Sequence, residues 1–121
     1  SVLIVDDSPT VREVTGRTME KAGYMAVQVA SGEEALEALQ ETRPVLVLLD
    51  IAMPGMDGYQ LCKTIRSNAA TKALPVVLVS SKDGIFDKAK GKMAGATDHV
   101  SKPFQPEELL RVAGKYVGAG S

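Results

Sequence analysis

The stretch Val45-Leu46-Val47-Leu48-Leu49-Asp50 decides how this chain is read. An uninterrupted run of Val and Leu suits a strand buried on both faces of a parallel sheet, because such a strand has no solvent side on which to alternate. The apolar run stops at Asp50. The segment Ile51-Ala52-Met53-Pro54-Gly55-Met56-Asp57-Gly58 follows, and its Pro and Gly residues turn the chain just past that carboxylate. In an open α/β sheet, ligands sit outside the carboxyl ends of the strands. Asp50 therefore stands where chemistry is expected.

Upstream, Val2-Leu3-Ile4-Val5 is a second apolar strand, and it too ends on acids, Asp6-Asp7. Ser8-Pro9 then suits a helix start, with Ser as N-cap and Pro at the first helical position. Val11, Val14, Thr18, Met19 and Ala22 supply the inward stripe of that helix and Gly23 closes it. Gly16 inside it costs about 1 kcal/mol relative to Ala. Residues 25–29 alternate and read as an edge strand. Ser31 and Glu34 have the spacing of a capping box, opening a helix with Ala35, Leu36 and Leu39 inward that ends at Arg43-Pro44.

Downstream, a helix is expected over about 58–68, with Leu61, Cys62 and Ile65 inward. Residues 75–79 form a fourth strand closing at Ser80-Ser81, and a helix over about 83–93 carries Ile85, Phe86, Ala89 and Met93. A short fifth strand over 97–100 leads into Ser101-Lys102-Pro103-Phe104. Pro106 opens the last helix, with Leu109, Leu110, Ala113, Tyr116 and Val117 inward. Strand and helix alternate throughout. That order calls for an α/β fold of (βα)5 type, a parallel five-stranded sheet with right-handed crossovers and helices on both faces.

A chain of 121 residues is long enough for one well-filled core, expected over 1–117, with 118–121 (Gly-Ala-Gly-Ser) as a flexible tail. The absence of an initiator Met and the small-residue tail suggest a natural protein longer at either end. The net charge of −1, with acids and bases interspersed, leaves no electrostatic footprint for direct binding of nucleic acid or an anionic membrane. No apolar run approaches the ~20 residues that span a bilayer, and no signal peptide is visible. The single cysteine excludes an internal disulfide and a cysteine-based zinc site. A cytoplasmic location is expected.

The strand ends belong side by side: Asp6 and Asp7 from the first, Asp50 from the third, Ser80 from the fourth, Lys102 from the fifth. Carboxylates brought so close repel one another, and a bound cation offsets that cost. Mg²⁺ suits such a set, since it takes oxygen ligands, keeps waters and binds one or two carboxylates together with a phosphate. Lys102 is a compact charge for a phosphate oxygen, and Ser80 can donate to another. A carboxylate nucleophile, a metal and a cationic clamp are what phosphoryl transfer to Asp requires. Singly, each residue has an ordinary reading as a turn residue, helix cap or solvated lysine. Their coincidence at successive strand ends carries the inference.

Over essentially its whole length the chain resembles the receiver domain of two-component response regulators, similar to the chemotaxis regulator. The resemblance rests on Leu3-Ile4-Val5-Asp6-Asp7, on Leu49 through Gly58, on Ser80 and on Lys102-Pro103-Phe104. It implies the flavodoxin-like three-layer sandwich with strand order 2-1-3-4-5, the doubly wound order of that chemotaxis protein. It further implies Asp50 as phospho-acceptor and Asp6 and Asp7 as holders of Mg²⁺, joined by Asp50 and the backbone carbonyl of Ala52. Ser80 would be the switch hydroxyl and Lys102 the phosphate-pairing lysine, its bond to Pro103 expected cis. The run from Ser80 to Lys92 resembles regulators of type IV pilus twitching motility and phototaxis.

The resemblance also implies partners: a sensor histidine kinase or phosphotransfer domain as donor, and a downstream protein read by the face of the 83–93 helix, the fifth strand and the last helix. Where the family often carries Tyr or Phe as aromatic switch, this chain has His99. Ala52 and Lys82 flank the expected path of an attacking water; neither is a general base, so hydrolysis is expected to rest on Mg²⁺ and Lys102. Two other classes fit less well. A haloacid-dehalogenase-type phosphatase wants a second Asp where Ala52 stands, and in a flavodoxin-like electron carrier Asp6-Asp7 would repel the FMN phosphate.

Overall fold

The computed structural model describes residues 1–51, 53, 55–81, 94–102 and 104–117. The helix expected over 83–93, Lys82, Ala52, Pro103 and the tail 118–121 lie outside these residues. In chain order the described elements are β1 (Val2–Val5), α1 (Pro9–Lys21), β2 (Ala26–Val29), α2 (Gly32–Thr42), β3 (Leu46–Asp50), α3 (Gly58–Ser67), β4 (Val76–Ser81), β5 (Asp98–Lys102) and α4 (Pro106–Val117). The strands form one parallel sheet of order β2-β1-β3-β4-β5, as expected. The central strands β1 and β3 are buried at every residue, whereas the edge strand β2 is only half-buried.

Strand alternation divides the core in two. Leu3, Val5, Val47, Leu49, Val76 and Leu78 pack on one face, against α2 and α3. Val2, Ile4, Leu46, Leu48, Val77 and Val100 pack on the other, with Met19 of α1 and Leu109, Val112 and Ala113 of α4.

Several expectations shift in register. The long apolar run begins its strand at Leu46; Val45 is exposed and its amide donates to Ser1 O at 2.8 Å. Ser80 and Ser81 are within β4 rather than beyond it, and β5 starts at Asp98 and runs through Lys102. Val14 of α1 and its C-cap Ala22 face solvent, while Thr15, Gly16 and Met19 are buried. At Gly16 a Cβ would lie 2.5 Å from Gln28 Nε2, so the Gln28 side chain of β2 lies across the bare backbone there. At α2, Ser31 Oγ accepts from the Glu34 amide and donates to the Glu34 carboxylate, each at 3.2 Å. The full reciprocal capping box is at α3, between Asp57 and Gln60.

Candidate functional site

Residue parity places the acids and the lysine together. Asp6 follows Val2 and Ile4 in alternation, Asp50 follows Leu46 and Leu48, and Lys102 follows Val100; all belong to the face covered by α1 and α4. Pairing of Val5 with Leu49 sets Asp6 level with Asp50. Lys102 starts farther off. Asp50 pairs with Val79 and Val79 with Val100, so Lys102 lies two strands across and two residues beyond that level. Its four-carbon stem closes the gap: Nζ is 2.9 Å from Asp6 Oδ2 and 3.4 Å from Asp50 Oδ1.

Asp6 and Asp50 are buried, at 4% and 6% exposure, and Asp7 is exposed. One carboxylate oxygen from each of Asp6, Asp7 and Asp50 falls within a common 4.8 Å. Buried carboxylates this close are unfavourable without a cation. Among the described residues, Lys102, four-fifths buried, supplies that charge. The donor set is all hard oxygen, held on a sheet edge and open to solvent at Asp7, and it fits a hard divalent ion of the Mg²⁺ kind.

Two contacts that sequence reasoning did not foresee fix Asp6. The Ser8 amide donates to Asp6 Oδ1 at 2.9 Å, and Arg12 Nη1 donates to the Asp6 carbonyl at 2.7 Å. Each sits at the start of α1, whose N-cap Ser8 accepts from the Val11 amide. The only prior signal was an arginine in the first turns of a helix that begins at an acid pair.

Ser80 is buried at the end of β4, level with Ser101, and shares parity with Val76 and Leu78 rather than with Asp50. His99 lies opposite Leu78, on the other face of β5 from Lys102. The structure thus gathers Asp6, Asp7, Asp50 and Lys102, and leaves Ser80 and His99 beside them on the far side of the sheet. Cys62 takes no part: burial pushes its thiol up, only partly opposed by the Arg66 charge, and it packs in the core as an inert apolar residue.

Five parallel strands in this order, with helices on the two faces, are the flavodoxin-like α/β fold. The chain belongs to the response regulator receiver domain family, whose model matches residues 2–113. It is similar to Protein PilG of Pseudomonas aeruginosa, 43% identical over 90% of this chain and 81% of that protein. It is similar also to Protein PilH of the same organism, 38% identical over 91% of each. Among solved structures, the chemotaxis protein CheY4 of Vibrio cholerae superposes with a TM-score of 0.89 at 35% identity, over 95% of this chain and 96% of that one. Receiver domains are phospho-accepting signalling modules that take phosphoryl groups from histidine kinases and bind Mg²⁺ at an acidic pocket. No described helix is long and apolar enough to cross a membrane.

Proposed function

We propose that Asp50 is the phospho-acceptor of this receiver. A carboxylate oxygen of Asp50 attacks the phosphorus of a phosphohistidine on a sensor kinase or phosphotransfer domain. The new O–P bond forms as the P–N bond breaks, and the imidazole leaves with the bonding pair and takes up a proton. The observation that carries the reading is the Asp50 carboxylate itself, buried at a strand end with Lys102 Nζ 3.4 Å away. Mg²⁺, held by Asp6, Asp7, Asp50 and the carbonyl of Ala52, would supply positive charge to the phosphoryl oxygens. Lys102 holds the acids before transfer and one phosphoryl oxygen after it. Ser80 reaches the phosphoryl group only by turning from its present side of β4, and that turn is the step by which the signal leaves the site. His99 lies on Ser80's side of the sheet and would respond to that turn.

The face made by the 83–93 segment, β5 and α4 then changes its affinity for a downstream protein. The likeness to PilG and PilH, together with the run from Ser80 to Lys92, favours control of type IV pilus motility as the output, in the cytoplasm and without direct contact to nucleic acid or membrane. Residues 1–117 act as one receiver unit.

Intact mass after incubation with acetyl phosphate tests the chemistry. One phosphate is expected on the wild type with Mg²⁺, and none on Asp50→Asn. Modification that persists in Asp50→Asn would move the acceptor elsewhere.

A further inference from the structure

The loop that carries the metal-facing end of β3 is held by contacts outside the acid cluster. The Ile51 carbonyl accepts from both the Met53 and Gly58 amides, at 3.2 and 2.9 Å, which holds Ile51, Met53 and Gly58 together just past β3. Gly55 takes a φ of 79° inside it, a left-handed conformation that favours glycine. At the turn's far end, a Cβ on Gly58 would lie 2.7 Å from the Asp50 carbonyl oxygen and from Ile51 Cα. Backbone thus rests on backbone, with no room for a side chain between Gly58 and the end of β3.

The remaining contact comes from another element. Met56 packs onto Gly32, the first residue of α2; a Cβ on Gly32 would lie 2.8 Å from Met56 Sδ, 3.1 Å from its Cβ and 3.2 Å from its Cγ. Almost the whole Met56 side chain occupies the place of the absent one. Met53 is buried in the same core and Met56 packs partly buried against it.

From this geometry we infer that Met56, seated on Gly32, is a positioning residue for Asp50 and makes the first turn of α2 part of the phospho-acceptor site. The inference rests on the reading of Asp50 as phospho-acceptor. Met56 touches no reacting atom. It fixes the crown of a turn whose base is the Asp50 backbone, so displacing Met56 misplaces the nucleophile relative to Asp6, Asp7 and Lys102. Misplacement on the ångström scale costs a reaction far more than it costs a fold.

The test compares wild type, Gly32→Ala, Met56→Ala and the double variant by rate of acetyl-phosphate phosphorylation, Mg²⁺ affinity and urea midpoint. A methyl at Gly32 displaces Met56, so Gly32→Ala is expected to slow phosphorylation by about tenfold or more while its urea midpoint stays near wild type. Met56→Ala, which removes the contact without a clash, is expected to slow phosphorylation as well, and the double variant to be no slower than the slower single variant, since both changes act on one contact. Such non-additivity separates positioning through the Met56–Gly32 contact from two independent packing defects. Wild-type speed in a folded Gly32→Ala or Met56→Ala, or a double variant slowed by the product of the two single effects, would overturn the inference. Failure of the wild type itself to take phosphate on Asp50 would instead overturn the reading on which it rests.

Discussion

The two ends of the sheet are built on opposite electrostatic plans. At the carboxyl end, buried Asp6 and Asp50 and exposed Asp7 crowd together, and Lys102 is shared between two of them. At the amino end, Arg66 of α3 meets neutral acceptors. It donates to the carbonyls of Gly95 at 2.7 Å, Leu74 at 2.6 Å and Lys72 at 3.3 Å, and to Thr97 Oγ1 at 3.0 Å. Thr97 Oγ1 in turn accepts from the Val76 amide at 3.0 Å, so one guanidinium ties together the segments that lead into β4 and β5. One end, among the described residues, has more acids than cations. The other has its donors and acceptors matched. The lesson is that repulsion is kept where the proposed function brings a cation and a phosphoryl group, and removed where only the fold is at stake.

Arg66→Ala should have the largest effect on stability. It removes four charge-assisted hydrogen bonds, two of them to the part-buried carbonyls of Gly95 and Leu74, and a loss of about 3 kcal/mol is expected in urea denaturation, the same with and without Mg²⁺. Phosphoryl uptake by the folded fraction should stay within about twofold of wild type, since a stability effect away from the reacting groups leaves transition-state contacts intact. A large fall in uptake would break the separation of the two ends.

Lys102→Ala comes next, and its signature is dependence on metal. With chelator present, the loss of the shared cation leaves the acids to repel one another, at about 2 kcal/mol. Mg²⁺ should narrow that gap, because it supplies the missing charge. An equal loss in both conditions would mean that the lysine acts through packing rather than charge.

Tyr116→Phe sharpens the comparison at a place between the two ends, where α4 meets the start of β5. Tyr116 Oη donates to Asp98 Oδ2 at 2.8 Å, and the His99 amide donates to Asp98 Oδ1, also at 2.8 Å. Burial works against the Asp98 charge, but the His99 amide, the Tyr116 hydroxyl and the Lys115 and His99 charges outweigh it, so the carboxyl titrates below its ordinary range. Burial first, then the bond to Asp98 and its charge, push the Tyr116 phenol up. The sign follows from linkage. A depressed Asp98 contributes stability above the ordinary Asp value and loses it as pH falls through the folded one. A raised Tyr116 contributes below the ordinary Tyr value and loses it as pH rises through the folded one. Tyr116→Phe should therefore lower stability by about 1 kcal/mol at neutral pH, less in acid. Thermal melts across pH would show the variant's acid limb shallower than the wild type's; parallel limbs would remove the bond from the account.

Much of the fold was legible from local pattern. Val2 to Val5 and Leu46 to Leu49 read as central strands because burial on both faces demands apolar residues without alternation, and the structure buries each of them. Asp6, Asp7, Asp50 and Lys102 stood out because a parallel sheet brings its carboxyl ends to one edge, whatever lies between them in sequence. What stayed hidden depends on how elements rotate and pack. Val14 and Ala22 looked inward by hydropathy, yet Thr15, Gly16 and Met19 are the buried positions, and the Gln28 side chain of β2 lies across the bare backbone of Gly16. A missing side chain signals nothing until the neighbour that fills its place is known.

The sequence by itself determined the alternation of strands and helices, the parallel sense of the sheet and the acids and lysine at the strand ends, because each follows from residue type and period along the chain. Only the tertiary structure decided which carboxylates Lys102 holds, that Arg12 and the Ser8 amide fix Asp6, and that Met56 rests on Gly32. Those contacts join residues far apart in sequence or turn on distances of a few tenths of an ångström. Close packing sets such distances, and no local pattern encodes them.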